Sequence, residues 1–288
     1  MVRMNKLTRR QFLKHFFWTA ACSLFASSGL YIYSRYIEPR RLEIKKINVS
    51  HPKIPKGFDG LKIVQFSDTH LNNDFTIANL ERIVNQINRL NPDIIVFTGD
   101  LIDEPNSYPA VHQIAPILKR LRADFGKYAI YGNHDHGGYG TDIYRNILQN
   151  AEFHLLQNEK KEIQLIDGSK LIVAGLDDVM LGRPDFQQTM GNIDKNSFTI
   201  LLVHEPDTVL QAKNYNVDLQ LSGHSHGGQV KIPFIGPLYT PPYAKSFSEG
   251  FYTVDHTKLY VNRGLGTTRL PFRFLAVPEI TLFTLYSK

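Results

Sequence analysis

A chain of 288 residues, 42% hydrophobic and 21% charged, can bury a substantial core in one large domain, though two half-domains would also fit. Its formal net charge of +6 is concentrated in residues 1–33, where Arg3, Lys6, Arg9, Arg10 and Lys14 meet no acid; the remaining 28 basic and 27 acidic residues nearly balance. That distribution excludes a basic nucleic-acid-binding domain, and the single cysteine, Cys22, excludes a disulfide or thiolate metal site in the domain that follows.

The first 35 residues have a logic of their own. Thr8-Arg9-Arg10-Gln11-Phe12-Leu13-Lys14 precedes the uncharged, mostly apolar stretch Phe16 to Tyr33. Paired arginines, an apolar pair and a lysine before a modest apolar run read as a twin-arginine export signal, handled by the twin-arginine translocation machinery. An anchor helix obeying the positive-inside rule gives the same topology, and 18 residues is just long enough to span a bilayer. The globular part is thus expected at the outer face of the cytoplasmic membrane, in the cell wall or secreted. Thr19-Ala20-Ala21-Cys22 loosely resembles a lipoprotein cleavage site but lacks the usual Leu.

Residues 36–60 are charged and contain prolines, and read as a linker passing into an edge strand. The globular domain, 61–288, opens with a strand at Leu61 to Phe66. A helix is predicted over Ile77 to Leu90, where apolar residues recur at helical spacing and Asn91-Pro92 stops the pattern. Asp93 to Thr98 is the next strand, Val111 to Leu121 the next helix, and Tyr128 to Tyr131 a third strand. This βαβαβ order implies parallel strands with helical crossovers. After a helix at Asp142 to Asn150, Ile163 to Ile166 and Lys170 to Val173 flank Asp167-Gly168 as a hairpin. Phe198 to Val203, Val217 to Leu221, Phe251 to Val254, Lys258 to Asn262 and Ile280 to Tyr286 read as further strands. Two mixed sheets packed face to face, with helices outside, accommodate this α/β order.

Five strand-like runs end in metal-ligand vocabulary: Asp68 and His70, Asp100, Asn133 and His134, His204, then His224 and His226. In open α/β sheets ligands gather at the carboxyl ends of strands, so one polar site fed by five ends is the simplest reading. In locally extended backbone, Asp68-Thr69-His70 and His224-Ser225-His226 each present two side chains to one side. Carboxylates and imidazoles without thiolates suit Mn, Fe or Zn better than Ca. Each pair alone is weak, since an Asp after a strand is often a turn or helix cap. Five together are hard to assemble by chance.

Asp68-x-His70, Gly99-Asp100-x-x-Asp103, Gly132-Asn133-His134-Asp135, His204 and Gly223-His224-Ser225-His226 resemble, in order, the motif set of the calcineurin-like metallophosphoesterases, over Leu61 to Gly228. Gly132 to Gly140, Val203 to Pro206 and Tyr260 to Gly266, with the twin-arginine start, are similar to the YkuE-type branch of exported bacterial phosphoesterases. The resemblance implies a four-layer α/β/β/α sandwich with two divalent metal ions. Asp68, His70, Asp100 and His226 would hold one; Asp100, Asn133, His204 and His224 would hold the other, with Asp100 bridging. It also implies hydrolysis of phosphomono- or phosphodiesters through a hydroxide shared by the metals.

Two ions about 3.5–4 Å apart can lower the pKa of a shared water, aim it at phosphorus and neutralise the phosphoryl oxygens. His134, beside a ligand, is the candidate for assisting the leaving group, with a hydrogen bond to Asp135 or a metal ligand as its alternative role. Arg263 is a candidate phosphate contact, a structural ion pair being the competing role, and His136 with Gly137, Gly138 and Gly140 a candidate substrate rim. Asp103 and Asp135 are expected to brace neighbours rather than bind metal. Two other functions fit the same motifs: a pyrophosphate hydrolase acting on a nucleotide-sugar lipid of the UDP-diacylglucosamine type, and a surface module that binds metal without catalysis.

Overall fold

The computed structural model describes residues 8–136 and 140–288. A long helix, α1 (Arg9–Ile32), is capped by the Thr8 hydroxyl, which accepts from the Gln11 N–H, and it buries none of its residues. β1 (Glu43–His51) follows, then β2 (Lys62–Phe66), α2 (Ile77–Arg89), β3 (Ile94–Phe97), α3 (Val111–Lys119), β4 (Lys127–Ala129), α4 (Asn133–His136), α5 (Gly140–Asn150) and β5 (His154–Leu155). The second half contains β6 (Glu159–Gln164), β7 (Lys170–Gly175), α6 (Phe186–Met190), β8 (Phe198–Leu202), α7 (Val209–Ala212) and β9 (Leu219–Ser222). The short pair β10 (Lys231–Ile232) and β11 (Gly236–Pro237) precedes β12 (Gly250–Val254), β13 (Thr257–Val261) and β14 (Glu279–Ser287).

These strands build two six-stranded mixed sheets, ordered β1-β14-β2-β3-β4-β5 and β12-β13-β9-β8-β7-β6. β2, β3 and β4 are parallel neighbours in the first sheet, and β8 and β9 in the second. The C-terminal strand β14 enters beside β2 antiparallel and pairs on its other side with β1 in parallel, which puts β1 at the sheet edge.

Why the strands read as unbroken apolar runs is now plain, because both faces of each sheet are covered. Ile63, Val96 and Phe283 from the first sheet interleave with Leu171, Val173, Ile200 and Leu219 from the second, forming the layer between the sheets. Their alternate neighbours Val64, Ile95 and Phe97 turn outward against Leu80, Val84 and Ile87 of α2 and against Ile114 and Leu118 of α3. On the far side Ala174 and Leu201 pack under Phe186 and Met190 of α6 and Ala212 of α7. The result is the α/β/β/α sandwich. The period of two in each strand sorts residues between two cores rather than between core and water.

Among the described residues no helix is long and apolar enough to cross a membrane. The expectation that the apolar run after the arginine pair could span a bilayer therefore fails on apolarity rather than length: Thr19, Ser23, Ser27, Ser28 and Gly29 dilute the helix.

Candidate metal centre

The carboxyl ends of β2, β3, β4, β8 and β9 open on one side of the sandwich, and hydrogen bonds continue across the loops that leave them. The Asp68 N–H donates to the Gly99 carbonyl at 2.9 Å, and the His70 N–H to the Asp100 carbonyl at 3.1 Å. The approach is close enough to demand glycine at position 99. Its φ is +94°, and a Cβ there would lie 2.6 Å from the Gly132 nitrogen and 2.9 Å from His204 Nδ1.

The loops do not have the extended backbone expected of Asp68-x-His70 and His224-x-His226. Asp68, His70, Asp100, His224 and His226 all lie in the left-handed region, with φ of 49°, 40°, 61°, 70° and 52°. Each such non-glycine costs of order 1 kcal/mol or more, and strain of this kind collects where the fold aims side chains at a site. The two members of each pair converge because the chain kinks at both, not because it is straight.

The side chains meet in a buried bowl. Asp68, His70, Asp100, His204, His224 and His226 are each at most 5% exposed. Asp100 Oδ2 lies 3.3 Å from both His70 Nε2 and His204 Nε2, and Asp68 Oδ1 lies 3.5 Å from His226 Nε2. Three groups of potential ligand atoms result: Asp68, His70 and His226; Asp100, His204 and His224; and His70, Asp100 and His134. The opposite ring nitrogens are tied to the scaffold, which sets the tautomer. His70 Nδ1 faces Asp103 Oδ1 at 3.1 Å, His204 Nδ1 donates to the Thr98 carbonyl at 2.6 Å, and His224 Nε2 donates to the Pro242 carbonyl at 2.9 Å.

Charge in this bowl is divided sharply. Burial opposes protonation of His70, but hydrogen bonds to Asp100 and Asp103 and the charge of Asp68 outweigh it and raise its pKa to about 10. His204 is raised in the same way against burial, chiefly by Asp100. Asp100, although buried, is held well below the usual carboxylate range by His204, His134 and His70. Burial and the charge of His204 depress His224 to about 4, and burial with His70 and Arg273 depresses His226. Asp68 is raised, by burial first and by Asp100 in part.

The donor set fits divalent metal. Asn133 Oδ1 is buried with no hydrogen-bond partner, and His204 Nε2 faces Asp100 Oδ2 at 3.3 Å without the geometry of a completed bond, a costly state for polar atoms unless a ligand completes them. His70 Nε2 and His226 Nε2 stand 3.1 Å apart, and two ring nitrogens at that separation need a proton or a cation between them. Oxygen and imidazole donors without thiolate suit borderline ions.

The other residues singled out from sequence fall into place differently. His134 lies at the half-open edge of the bowl. Its N–H donates to Asp100 Oδ1 at 2.9 Å and its Nδ1 to the Asp103 carbonyl at 2.8 Å, leaving Nε2 free. Asp103 holds His70 and also accepts from Thr268 Oγ1 at 3.1 Å. Asp135 braces the loops by accepting from the N–H groups of Asp100, Leu101 and Gly132 at 2.7, 3.0 and 2.8 Å, while burial and Asp100 push its pKa up to about 7. Arg263 is not aimed at substrate as a phosphate contact would be. Its guanidinium is taken up by Glu279 and Glu43 at the edge of the first sheet, the structural ion pair. His136 is not on the cavity rim either. It bonds to Asp177 at 2.8 Å and packs on the Tyr131 ring. Gly137 and Gly138 lie outside the described residues, and of Gly140 only its place at the start of α5 is described.

Arg273 went unseen in the sequence. Fully buried, it donates to the carbonyls of Gly266, Ala276 and Arg263 and approaches His226 Nδ1 at 3.3 Å. Its flanking Phe272 and Phe274 were the only local sign of a buried setting. The carbonyls of Thr98 and Pro242 left no trace at all, because a backbone acceptor does not depend on residue type.

A family model described as calcineurin-like phosphoesterase matches residues 61–228. The "Uncharacterized metallophosphoesterase YkuE" of Bacillus subtilis is 51% identical over 284 residues, which is 99% of each chain. An uncharacterized metallophosphoesterase of Aquifex aeolicus is 31% identical, covering 92% of this chain and 99% of its own. The UDP-2,3-diacylglucosamine pyrophosphatase LpxG of Chlamydia trachomatis is 27% identical, covering 88% and 92%.

Proposed function

Because the chain belongs to the calcineurin-like phosphoesterase family and so to the hydrolases of phosphoester bonds, we propose that it is a dinuclear enzyme hydrolysing phosphomono- or phosphodiesters outside the cytoplasmic membrane. The observations that carry the dinuclear part are one incomplete pair at each position, Asn133 Oδ1 with His204 Nε2 and His70 Nε2 with His226 Nε2, beside carboxylates and imidazoles drawn from five strand ends.

In this reading Asp68, His70, Asp100 and His226 hold one ion, and Asp100, Asn133, His204 and His224 the other. Bound there, divalent metal supplies charge neutralisation at the phosphoryl group and a more acidic attacking water. Everything else falls to the chain. Asp103, the Thr98 carbonyl and the Pro242 carbonyl fix the imidazoles in their tautomers, so no reorganisation is needed when substrate arrives. His134 donates its Nδ1 proton to a backbone carbonyl and leaves Nε2 toward the opening, where in its protonated form it delivers a proton to the departing oxygen.

The test is hydrolysis of bis-p-nitrophenyl phosphate and of p-nitrophenyl phosphate by purified protein, metal-stripped and then reloaded with Mn, Zn or Fe. Metal-stimulated turnover is expected. Metal uptake with no turnover of either ester would leave a binding module. The Chlamydia relative favours one further reading, cleavage of a pyrophosphate in a nucleotide-linked lipid. Such a lipid offered in parallel decides between the two by the higher kcat/KM.

Export rests on Arg9-Arg10 ahead of the apolar helix. Changing both to Lys is expected to trap the protein in the cytoplasm, and unchanged export would remove the twin-arginine route.

A further inference from the structure

Beside the bowl lies a cavity of about 640 Å³, a usual size for a small-molecule site, and its two ends differ in chemistry. One end is the polar floor of Asp100, Asn133, His134, His224 and His226; the other is walled by Val230, Leu238, Tyr239, Leu270, Phe272 and Phe274. Around the mouth, Leu238, Tyr239 and Leu270 are 63, 51 and 64% exposed, an apolar rim on a protein whose cores are otherwise closed.

The one side-chain amide within that wall, Gln229, is already used. Gln229 donates Nε2 to the carbonyls of Thr268 and Leu270 at 3.2 and 2.8 Å, and its Oε1 accepts from the Thr268 N–H at 3.1 Å. A nucleobase or sugar would find few free partners there, whereas a hydrocarbon needs none. Arg269, which lines the same cavity and stands over the Tyr239 ring at that rim, is a cation placed to meet an anionic lipid surface.

The wall is also joined to the N-terminal helix. Leu30 and Ser34 line the cavity, the Arg273 N–H donates to the Ser34 carbonyl at 2.9 Å, and Tyr31 and Tyr33 pack edge-on against Phe272 and Phe274. From this junction α1 carries Phe16, Phe17, Trp18, Leu24 and Phe25 outward, all more than half exposed. Exposed apolar side chains are thus present on the helix, at the rim and in the wall that reaches the phosphoester-hydrolysing floor.

We propose that the cavity receives the hydrocarbon chain of an amphiphilic phosphoester drawn from a lipid surface, with the ester end presented to the floor and α1 lying against that surface. The inference rests on the phosphoesterase reading for its chemistry, but its binding half stands apart from turnover. Burying methylenes lowers KM by up to about 4-fold each until the cavity is filled.

The experiment uses the full chain and alkyl p-nitrophenyl phosphodiesters from methyl to dodecyl, each kept monomeric, in the presence of Mn. In parallel, calorimetry compares dodecylphosphonate with methylphosphonate on metal-free protein. A KM falling at least about 30-fold from methyl to octyl with little change in kcat is expected, as is preferential binding of the dodecyl compound. Leu238→Asp on the exposed rim and Phe272→Ala in the wall should each collapse the dodecyl-to-methyl ratio, and vesicles of anionic phospholipid should compete. A KM independent of chain length, or tighter binding of a nucleoside monophosphate than of dodecylphosphonate, overturns the proposal while leaving the phosphoesterase reading intact. Dodecylphosphonate binding without turnover of any ester sustains the pocket and overturns the enzyme instead.

Discussion

Two buried clusters in this molecule are made of the same residue types and have opposite characters. At the strand ends, His70 and His204 flank Asp100; between α4 and the loop after β7, His136 meets Asp177. In the second cluster every contact is closed. Asp177 accepts from His136, Gln157 Nε2 and the Arg183 and Asp178 N–H groups at 2.8, 3.2, 2.8 and 2.9 Å, and burial is overcome so that its pKa falls to about 2. In the first cluster His204 Nε2 makes no completed hydrogen bond and the neighbouring Asn133 Oδ1 has no partner, and five residues of the bowl sit in left-handed backbone. An imidazole beside a carboxylate therefore says little about function. Unpaired lone pairs and strained backbone separate a centre built to hold something from one that is merely satisfied.

The contrast can be broken most severely at Asp100. Asp100→Asn is expected to empty both metal positions, seen by elemental analysis, and to lower turnover about 10³-fold or more. His70→Ala or His204→Ala should empty mainly one position, and equal metal loss from all three variants would contradict a shared ligand. His134→Ala should keep both ions and lower phosphodiester turnover about 10²–10⁴-fold; unchanged turnover would place it outside the reaction. Metal itself should distinguish the clusters, since a chelator is expected to lower the unfolding temperature of the wild type and of Asp177→Asn alike, but to have little effect on Asp100→Asn.

The smallest effect belongs to the closed pair and depends on pH. Asp177, depressed from 3.8 to about 2, contributes stability above its unfolded pKa that is lost as pH falls through that interval. His136 is raised above 6.5, against burial, by Asp177, and so contributes below 6.5 and loses that contribution as pH rises through its folded value. Asp177→Asn should then cost about 1 kcal/mol, discounted for solvent screening, with the difference from wild type largest between about pH 4 and 6.5. A difference in unfolding free energy that stays constant with pH would show the carboxylate to be a hydrogen-bond acceptor alone.

How much of this was legible in the chain differs from element to element. The run Ile94 to Phe97 announces a strand because both its faces are buried, and Gly99-Asp100 announces a turn with a carboxylate at its end; both are local facts. Arg263 misled because a guanidinium near a site reads alike whether it meets a phosphate or, as here, Glu43 and Glu279, residues 220 and 16 positions away. His136 misled for the same reason, its partner lying 41 residues on.

By itself, then, the order of residues determined the βαβαβ opening and the longer strands that follow, the ligand vocabulary at the strand ends and the family to which it belongs, since periodicity and motif spacing are properties of short stretches. Only the tertiary structure decided which lone pairs were left without partners, that Arg273 stands behind His226, and that an apolar wall from Val230 to Phe274 closes on the polar floor beside the end of α1. Those are meetings between residues far apart in the chain, fixed by sheet order and backbone acceptors that no residue type records.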